Sequence, residues 1–287
     1  MSSLGFLSGA IHHQPRNGIR RVCHVVAAVP SMAEYVEDQV LRKFDAGDVE
    51  RVIKSWHSAR DGEVLESFHE DGSVLQQAGS FIAGLDARNW HEVDEYQWAQ
   101  GLEQDFEVIR DELDKCMKQR SLEKRGNNIW ATAVKEEAMA YGPDWRTLVL
   151  QDRGIWEPKN SKIFKDTVKI LKKHKVPSSE VFFARQSPKT GIKPHTDNTN
   201  FILTAHLSLR VPKDKSWIKV GNQQRFWEDG KMLIFDTSFM HETWNDGDTD
   251  RHVLLIRFWH PELSRKEIKA LETVFRAIEE YEMKVAY

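Results

Sequence analysis

Cysteine is scarce in this chain of 287 residues, which contains only Cys23 and Cys116. The two lie far apart and lack the close spacing of a metal-binding pair, so neither a disulfide framework nor a cysteine metal site is indicated, and a reducing compartment fits better. No apolar run approaches the length of a membrane-spanning helix, so we expect no transmembrane segment. The chain carries a formal net charge of −3, which argues against broad binding to nucleic acid.

Acidic residues are absent from the first 33 positions, which are instead rich in arginine, serine and small residues. This composition is typical of a cleavable organelle-targeting presequence, and we expect a cut near Ala27 or Ala28. Because the segment is modestly basic and not markedly amphipathic, a plastid is favoured over a mitochondrion. The alternative is a disordered N-terminus without function, and then a cytoplasmic protein.

Apolar residues make up 40% of the chain, with 10 Trp and 14 Phe, enough for a substantial packed core. Helical spacing of apolar residues predicts amphipathic helices over 33–56, 96–119 and 161–174, and a weaker helix over 72–84. A capping box of Ser264 and Glu267 predicts the start of a last helix. We therefore expect a helical N-terminal extension over 34–95 and a main domain over 96–287.

Strand patterns concentrate in the core of that domain, residues 178–263. Apolar and polar residues alternate from Phe201 to Val211, which predicts a strand with unlike faces. Further short strands are predicted at 180–185, 217–220, 224–227, 232–236 and 253–259. Many short strands at this spacing indicate a sandwich or barrel, so the predicted fold class is α+β.

Four residues near the C-terminal end suggest a metal centre. His195 and Asp197 are two apart, so on an extended segment both side chains point the same way. His241 follows in a predicted turn after a strand that ends at Asp236, and Arg251 lies ten positions further on. Two imidazoles and one carboxylate leave three positions of an iron open, as oxygen-activating Fe(II) centres require. The planar fork of arginine suits a dicarboxylate co-substrate.

Two further polar residues occupy otherwise apolar strands. His206 lies in mid-strand and faces either a reactive interior or solvent. Arg257 shares the parity of Arg251 and needs an anionic partner, unless it lies at an edge or faces a helix. We do not expect His252 or His260 to bind a metal.

These residues lie in segments that resemble the aspartyl/asparaginyl β-hydroxylase family. The matching stretches are Pro-His-Thr-Asp-Asn-Thr-Asn (194–200), Ala-His-Leu-Ser-Leu (205–209), Trp-Glu-Asp-Gly-Lys-Met-Leu-Ile-Phe-Asp-Thr-Ser-Phe-Met-His-Glu-Thr-Trp-Asn (227–245) and Phe-Trp-His-Pro-Glu-Leu (258–263). The resemblance implies a double-stranded β-helix (a jelly-roll, cupin-like core) with helices before and after it. It also implies an Fe(II)- and 2-oxoglutarate-dependent dioxygenase that uses O2 to hydroxylate a protein or peptide, at the β-carbon of Asp or Asn.

Carried over by position, the resemblance makes His195 and His241 iron ligands and Arg251 the partner of the distal carboxylate of 2-oxoglutarate. His206 would hydrogen-bond the end of the co-substrate nearer the metal. Animal members commonly have glycine at the position of Asp197 and arginine at that of Thr204. The carboxylate is present here, as in bacterial lipid-hydroxylating relatives, and the missing arginine leaves His206, with Arg185 or Arg210, to bind the co-substrate.

Three alternatives remain open at this point. The enzyme could hydroxylate a lipid or small molecule. The chain could be a jelly-roll protein that binds metal or a partner without turnover. Two histidines and a carboxylate also suit a zinc hydrolase, which would leave Arg251 and His206 unexplained.

Overall fold

The computed structural model describes residues 31–118, 131–132 and 145–285. Within those residues it contains seven α-helices, which we number in chain order: α1 (Met32–Leu41), α2 (Glu50–Asp61), α3 (Gln97–Gln104), α4 (Phe106–Lys118), α5 (Asn160–Ile163), α6 (Lys165–Lys173) and α7 (Arg265–Val285). None of these helices combines the length and apolar character needed to cross a membrane. Most of the expected presequence, residues 1–30, lies outside the described residues.

Fifteen strands are described, numbered β1 (Leu65–Phe68), β2 (Val74–Ser80), β3 (Trp90–His91), β4 (Ala131–Thr132), β5 (Trp145–Asp152), β6 (Ile155–Trp156), β7 (Ser178–Gln186), β8 (Thr190–His195), β9 (Asn198–Thr199), β10 (Ile202–Arg210), β11 (Ser216–Val220), β12 (Gln223–Phe226), β13 (Met232–Asp236), β14 (His241–Asn245) and β15 (Arg251–Trp259). The main sheet has the order β3-β13-β10-β15-β7-β5-β4, with β6 paired to β5. The minor sheet has the order β12-β11-β14-β8, and a small third sheet has the order β1-β2-β9. All pairings in the two larger sheets are antiparallel.

The two faces of strand β10 differ, as the alternation predicts. Leu203, Ala205 and Leu207 pack on the outer side of the main sheet in a core shared with helices α3, α4 and α6. The opposite, polar face is also buried: His206 is 5% exposed and Ser208 is fully buried. This face is therefore covered by another part of the protein and not by solvent.

The minor sheet provides that cover. Ile218 and Val220 of β11 share a second core with Phe235 of β13, Val253 of β15 and Trp227. Two antiparallel sheets thus face each other across a common interior, with helices outside. The predicted double-stranded β-helix in an α+β fold is confirmed.

A third core joins the two ends of the described chain. Helices α1 and α2 pack against α7, with Val36, Val40 and Ala270 buried between them. Helix α7 begins with the predicted capping box, because the backbone N–H of Ser264 donates to the Glu267 carboxylate (2.8 Å) and that of Glu267 donates to the Ser264 hydroxyl (3.2 Å).

Segment 34–95 differs from the expectation of a helical extension, because it also contains β1, β2 and β3. The weak helix predicted over 72–84 is wrong, since Val74–Ser80 is a strand paired with β1 and β9. Gln76 and Ala78 are its buried residues, a spacing of two that fits a strand and not a helix. Gly72, with φ of 82°, makes the turn that precedes it.

The long helix predicted over 96–119 is divided at Asp105 into α3 and α4. The Asp105 carboxylate accepts from Lys173 and from the His174 ring, each at 2.7 Å. The break therefore ties this helix pair to the end of α6. The predicted inward stripe is retained, since Leu102, Ile109 and Leu113 are fully buried.

Candidate metal centre

His195 and His241 lie opposite each other on adjacent strands of the minor sheet. His195 ends β8, His241 begins β14, and the two are direct partners in the strand register. Their ring centroids are 4.1 Å apart. His241 was expected in a turn after β13, so its position at the start of a strand corrects that prediction. Strand pairing, and not loop geometry, brings the two imidazoles together.

The hydrogen bonds of both histidine rings use Nδ1 and leave Nε2 free. Nδ1 of His195 lies 2.7 Å from the carbonyl of Lys193, and Nδ1 of His241 lies 2.9 Å from the carbonyl of Phe239. A carbonyl only accepts, so in each ring Nδ1 carries the proton and donates it. This fixes the tautomer in which Nε2 has a free lone pair, the usual preparation of a histidine for a metal.

Asp197 completes the group just beyond the end of β8. Its backbone N–H donates to the carbonyl of Thr237 at 2.9 Å, which anchors the turn to the segment that precedes His241. One carboxylate oxygen lies 3.9 Å from Nε2 of His195. One ligand atom from each of His195, Asp197 and His241 can be chosen so that all lie within 4.8 Å of one another. The spatial convergence predicted from the sequence is therefore present.

The charge states of these groups suit a divalent metal. Burial lowers the pKa of His241 to about 4, and the neighbouring His195 acts in the same direction. Burial opposes ionisation of Asp197, but the charges of Arg257, His241 and His195 outweigh it, so the pKa of Asp197 lies below its ordinary value. Near neutral pH the centre offers an unprotonated His241 and a carboxylate. Two imidazoles and a carboxylate are the donor set of non-haem Fe(II) oxygenases, and they also suit zinc.

Arg251 is a buried cation with no anionic partner among the described residues. It is 1% exposed, and its guanidinium carbon lies 4.3 Å from the centroid of the Trp227 ring. Its Nε and Nη1 have no hydrogen-bond partner among the described residues. Burial lowers the pKa of Arg251 to about 9, so it remains charged at neutral pH. A buried charge of this kind is costly unless a ligand supplies the partner, and the guanidinium fork suits a carboxylate.

His206 packs against the same tryptophan. Its ring stacks on Trp227 with centroids 5.8 Å apart and an interplanar angle of 21°, and its Nδ1 has no partner among the described residues. Burial and the nearby charge of Arg251 hold the pKa of His206 well below its ordinary value. His206 is therefore a neutral group facing the interior, and the solvent-facing alternative is wrong.

Trp227 and Gln186 contribute to this interior and were not predicted from the sequence, whereas Arg257 was expected to need an anionic partner. Trp227 packs against both Arg251 and His206 and is almost fully buried. Gln186, the register partner of Arg251 on β7, has an unpartnered buried oxygen. Arg257 reaches Asp197, with Nη2 and Oδ2 3.5 Å apart, and Glu180 at 3.8 Å. The only sequence pattern that pointed to Arg257 was its even spacing from Arg251, which places both side chains on the same face of a strand.

The two other arginines suggested for co-substrate binding form ion pairs with protein carboxylates. Arg210 forms an ion pair with Asp114 of helix α4, on the outer side of the main sheet. Arg185 pairs with Asp250 at 3.1 Å. Each of these two arginines therefore already has a carboxylate partner. His252 and His260 are buried and do not belong to the group of three.

A double-stranded β-helix in which two histidines and a carboxylate converge beside the minor sheet defines a cupin-like fold with a candidate metal centre. A family model for aspartyl/asparaginyl beta-hydroxylase matches residues 103–261, more than half of the chain. The chain therefore belongs to this family, and the resemblance noted in the sequence is confirmed.

Individual relatives agree with that assignment. The human aspartyl/asparaginyl beta-hydroxylase is 30% identical over 263 residues, which cover 87% of this chain and 34% of that protein. An ornithine lipid ester-linked acyl 2-hydroxylase from Rhizobium tropici is 33% identical over 169 residues, 58% of each chain. A solved prolyl-4-hydroxylase from Pseudomonas putida aligns over 54% of this chain and 87% of its own, with 15% identity and a TM-score of 0.39, a likeness too distant to carry an argument. The chain thus spans about a third of the human relative that it matches.

Proposed function

We propose that the protein is an Fe(II)- and 2-oxoglutarate-dependent dioxygenase that hydroxylates an unactivated C–H, namely the β-carbon of Asp or Asn in a protein or peptide. One observation carries the proposal. Two histidines with free Nε2 atoms and a carboxylate converge beside an interior that also holds the unpartnered guanidinium of Arg251. A zinc hydrolase would leave Arg251 and His206 unexplained. Family membership supports the same chemistry.

Each residue has a defined part in this proposal. His195, Asp197 and His241 hold Fe(II), and Arg251 pairs with the distal carboxylate of 2-oxoglutarate. His206, neutral and aimed into the same interior, donates or accepts a hydrogen bond at the end of the co-substrate nearer the metal. The bound iron, with 2-oxoglutarate and O2, supplies the oxidising power for hydroxylation and yields succinate and CO2. The surrounding core, including Trp227 and Phe235, excludes water from that space.

The direct test is turnover of 2-oxoglutarate to succinate without a substrate, measured with Fe(II) under air. The wild type should form succinate, whereas His241→Ala should reduce the rate to background. Omission of O2 should stop the reaction. A hydrolytic activity that needs zinc but neither O2 nor 2-oxoglutarate would contradict the proposal, and metal binding without turnover would favour a non-catalytic jelly-roll protein.

A lipid or small-molecule substrate is the second candidate. It is favoured by the similarity to the rhizobial ornithine lipid hydroxylase, and by the carboxylate of Asp197. Incubation with Asp- or Asn-containing peptides and with amino-acid-headed lipids separates the two candidates. The product that gains one oxygen atom, detected by mass spectrometry, identifies the substrate class.

We also propose that residues 1–33 direct the protein to an organelle, a plastid ahead of a mitochondrion, with a cytoplasmic location as the alternative. The support is compositional, since the segment holds Arg16, Arg20 and Arg21 and no acidic residue. A fluorescent protein fused after residue 33 should accumulate in the organelle. Diffuse cytoplasmic fluorescence would contradict this.

A further inference from the structure

A cleft with a volume of about 850 Å³ lies at the end of the main sheet opposite to Arg251. It is bordered by the β5–β6 hairpin, the start of β7, the end of β15 and one side of helix α7. We call it the β6–α7 cleft. Its volume falls within the range of pockets that bind ligands of a few hundred daltons.

This cleft reaches the metal centre through Arg257. The Arg257 side chain lines the cleft, and its Nη2 lies 3.5 Å from Oδ2 of Asp197. Thr199, two residues beyond Asp197, also lines it. Arg251 lies six residues before Arg257 on β15 and is therefore about 20 Å away along the strand. A co-substrate held by Arg251 and a substrate entering from the cleft would thus approach the metal from opposite sides.

The charges on the cleft walls are unequal. Five acidic residues line it, whereas the basic residues are Arg153, Arg257 and Arg276. Arg153 is paired with Glu279, and Arg257 with Glu180 and Asp197.

The acids that remain after these pairs are Asp152, Glu157 and Glu272, against the single base Arg276. Asp152 and Glu272 are exposed and form no ion pair within the described part of the chain. The cleft therefore presents excess negative charge to an incoming molecule, which favours a cation.

Aromatic rings complete the lining. Trp156, Trp259 and Phe275 border the cleft, and the last two stack with centroids 6.4 Å apart. The ring of Trp156 already has the ammonium of Lys172 5.2 Å from its centroid. The faces of aromatic rings attract ammonium and guanidinium groups. Eight of the nineteen lining residues are charged, and burying an acyl chain among them would remove their hydration without replacing it. These walls favour a positively charged side chain with an aliphatic stem.

We propose, resting on the dioxygenase function above, that the β6–α7 cleft binds the substrate polypeptide and selects Lys or Arg beside the residue to be hydroxylated. Asp152 and Glu272 attract the basic side chain, and the aromatic walls contact its aliphatic stem. Arg257 marks the inner end of the cleft, where the target residue meets the metal centre.

The test uses three fluorescent peptides with the same central Asp, flanked by Lys, Gln or Glu. Binding is measured by anisotropy to the full chain loaded with Mn(II) and 2-oxoglutarate in the absence of O2. The Lys peptide should bind roughly tenfold more tightly than the Glu peptide at low salt. Because partly exposed charges are screened, the difference should shrink as the salt concentration rises.

A charge-reversed variant tests the position of the binding site. The double substitution Asp152→Lys and Glu272→Lys should invert the preference, so that the Glu peptide binds more tightly. Glu70→Lys changes an equally exposed acid that does not line the cleft, and it should keep the wild-type preference. Thermal unfolding of each variant confirms that the fold is intact.

The outcomes separate this inference from the proposed function. Absence of succinate formation by the wild type would overturn the dioxygenase proposal itself. Succinate formation with equal binding of all three peptides, or a preference that the double substitution leaves unchanged, would overturn only the cleft assignment. Hydroxylation of an amine-bearing lipid in vesicles, with no peptide binding, would also overturn it.

Discussion

Arg257 on β15 holds Asp197 across the gap between the two sheets, with Nη2 and Oδ2 3.5 Å apart. The acidic member of the metal centre is therefore supported from the main sheet, whereas His195 and His241 lie on the minor sheet. Separation of the sheets at this end would move the carboxylate relative to the imidazoles. The centre depends on the whole β-helix and not on one loop.

Removal of this support should weaken metal binding. We expect Arg257→Gln to lower the affinity for Mn(II) or Fe(II) by about 10- to 100-fold, the usual effect of losing a group that orients a ligand. Arg257→Lys should recover part of the loss because it keeps the charge. Calorimetric titration under anaerobic conditions measures both. Arg210→Gln, which removes a cation paired on the outer side of the sheet, should leave the affinity unchanged.

Removal of the carboxylate itself tests the three-ligand assignment. We expect Asp197→Gly to reduce iron retention, because a neutral two-histidine site attracts a divalent cation less strongly than one with a carboxylate. Iron content after gel filtration and the rate of succinate formation give two independent measures. Iron content and turnover equal to the wild type would show that Asp197 is not a ligand.

Arg251 should have opposite effects on stability and on co-substrate binding. We expect Arg251→Met to weaken 2-oxoglutarate binding by about 1.5–3 kcal/mol, because a charge-assisted pair is lost. Without co-substrate, the same change should raise the free energy of unfolding by about 1 kcal/mol or more, because an unpartnered buried charge is replaced by an apolar side chain.

Urea unfolding with and without 2-oxoglutarate measures both effects of Arg251→Met. Arg185→Met is the matched control. It removes an arginine that already has its carboxylate, so it should lower the stability slightly and leave 2-oxoglutarate binding as it is. Unchanged affinity of Arg251→Met for 2-oxoglutarate would show that Arg251 does not bind the co-substrate.

Gly191 controls the approach of β8 to β14. A methyl group at this position would overlap the carbonyl oxygen of Thr243 and the ring of Trp244. We expect Gly191→Ala to push the strands apart, to lower the free energy of unfolding by about 1–3 kcal/mol, and to weaken metal binding through the separation of His195 from His241. Gly47→Ala offers a comparison outside the site, because an added methyl group there would meet no atom within 4 Å. Retention of wild-type metal affinity in Gly191→Ala would show that the strands can adjust.

Buried histidines should make the protein sensitive to acid. Burial, with the charge of Arg88, lowers the pKa of His91 from 6.5 to about 4, and its Nδ1 accepts from Arg88 at 3.0 Å. Because the unfolded chain binds this proton at higher pH than the folded protein, the stability contribution is complete above pH 6.5 and is lost as the pH falls towards 4. His91 alone should cost about 2 kcal/mol at pH 5.

The comparison of wild type with His91→Gln isolates this effect. Between pH 7 and pH 5 the variant should lose about 2 kcal/mol less of its free energy of unfolding, measured in urea. Burial raises the pKa of Asp236 to about 7, so this residue stabilises the fold as the pH falls. Both proteins contain Asp236, so its contribution cancels in the comparison. Parallel pH profiles of the two proteins would contradict the assignment.

Much of the local structure was predictable from the sequence. Alternation in β10, the stripe along α3 and α4 and the capping box of α7 are patterns of neighbouring residues, and each was predicted correctly. The strand at 74–80 was not, because its mixture of Val, Leu, Gln and Ala carries little apolar alternation. Its conformation depends on pairing with β1 and β9, which no local pattern records.

The residue types of the metal centre were also evident in the sequence, because His-x-Asp with a distant histidine and arginine is a rare combination. The partners of those residues could not be predicted from the sequence. Whether an arginine faces the interior or an outer helix depends on strand register, which is why Arg251 is unpartnered and Arg210 is paired with Asp114.

By itself, then, the sequence determined the family, the types of metal-binding residue and the spacing of apolar residues in most helices and strands. These depend on residue identity and on short distances along the chain. Only the tertiary structure decided that His241 begins a strand opposite His195, that Trp227 packs against both Arg251 and His206, and that Arg257 joins Asp197 to an acidic cleft. These relations arise from burial and from pairing between residues far apart in the chain, where the free energy depends on which surfaces meet.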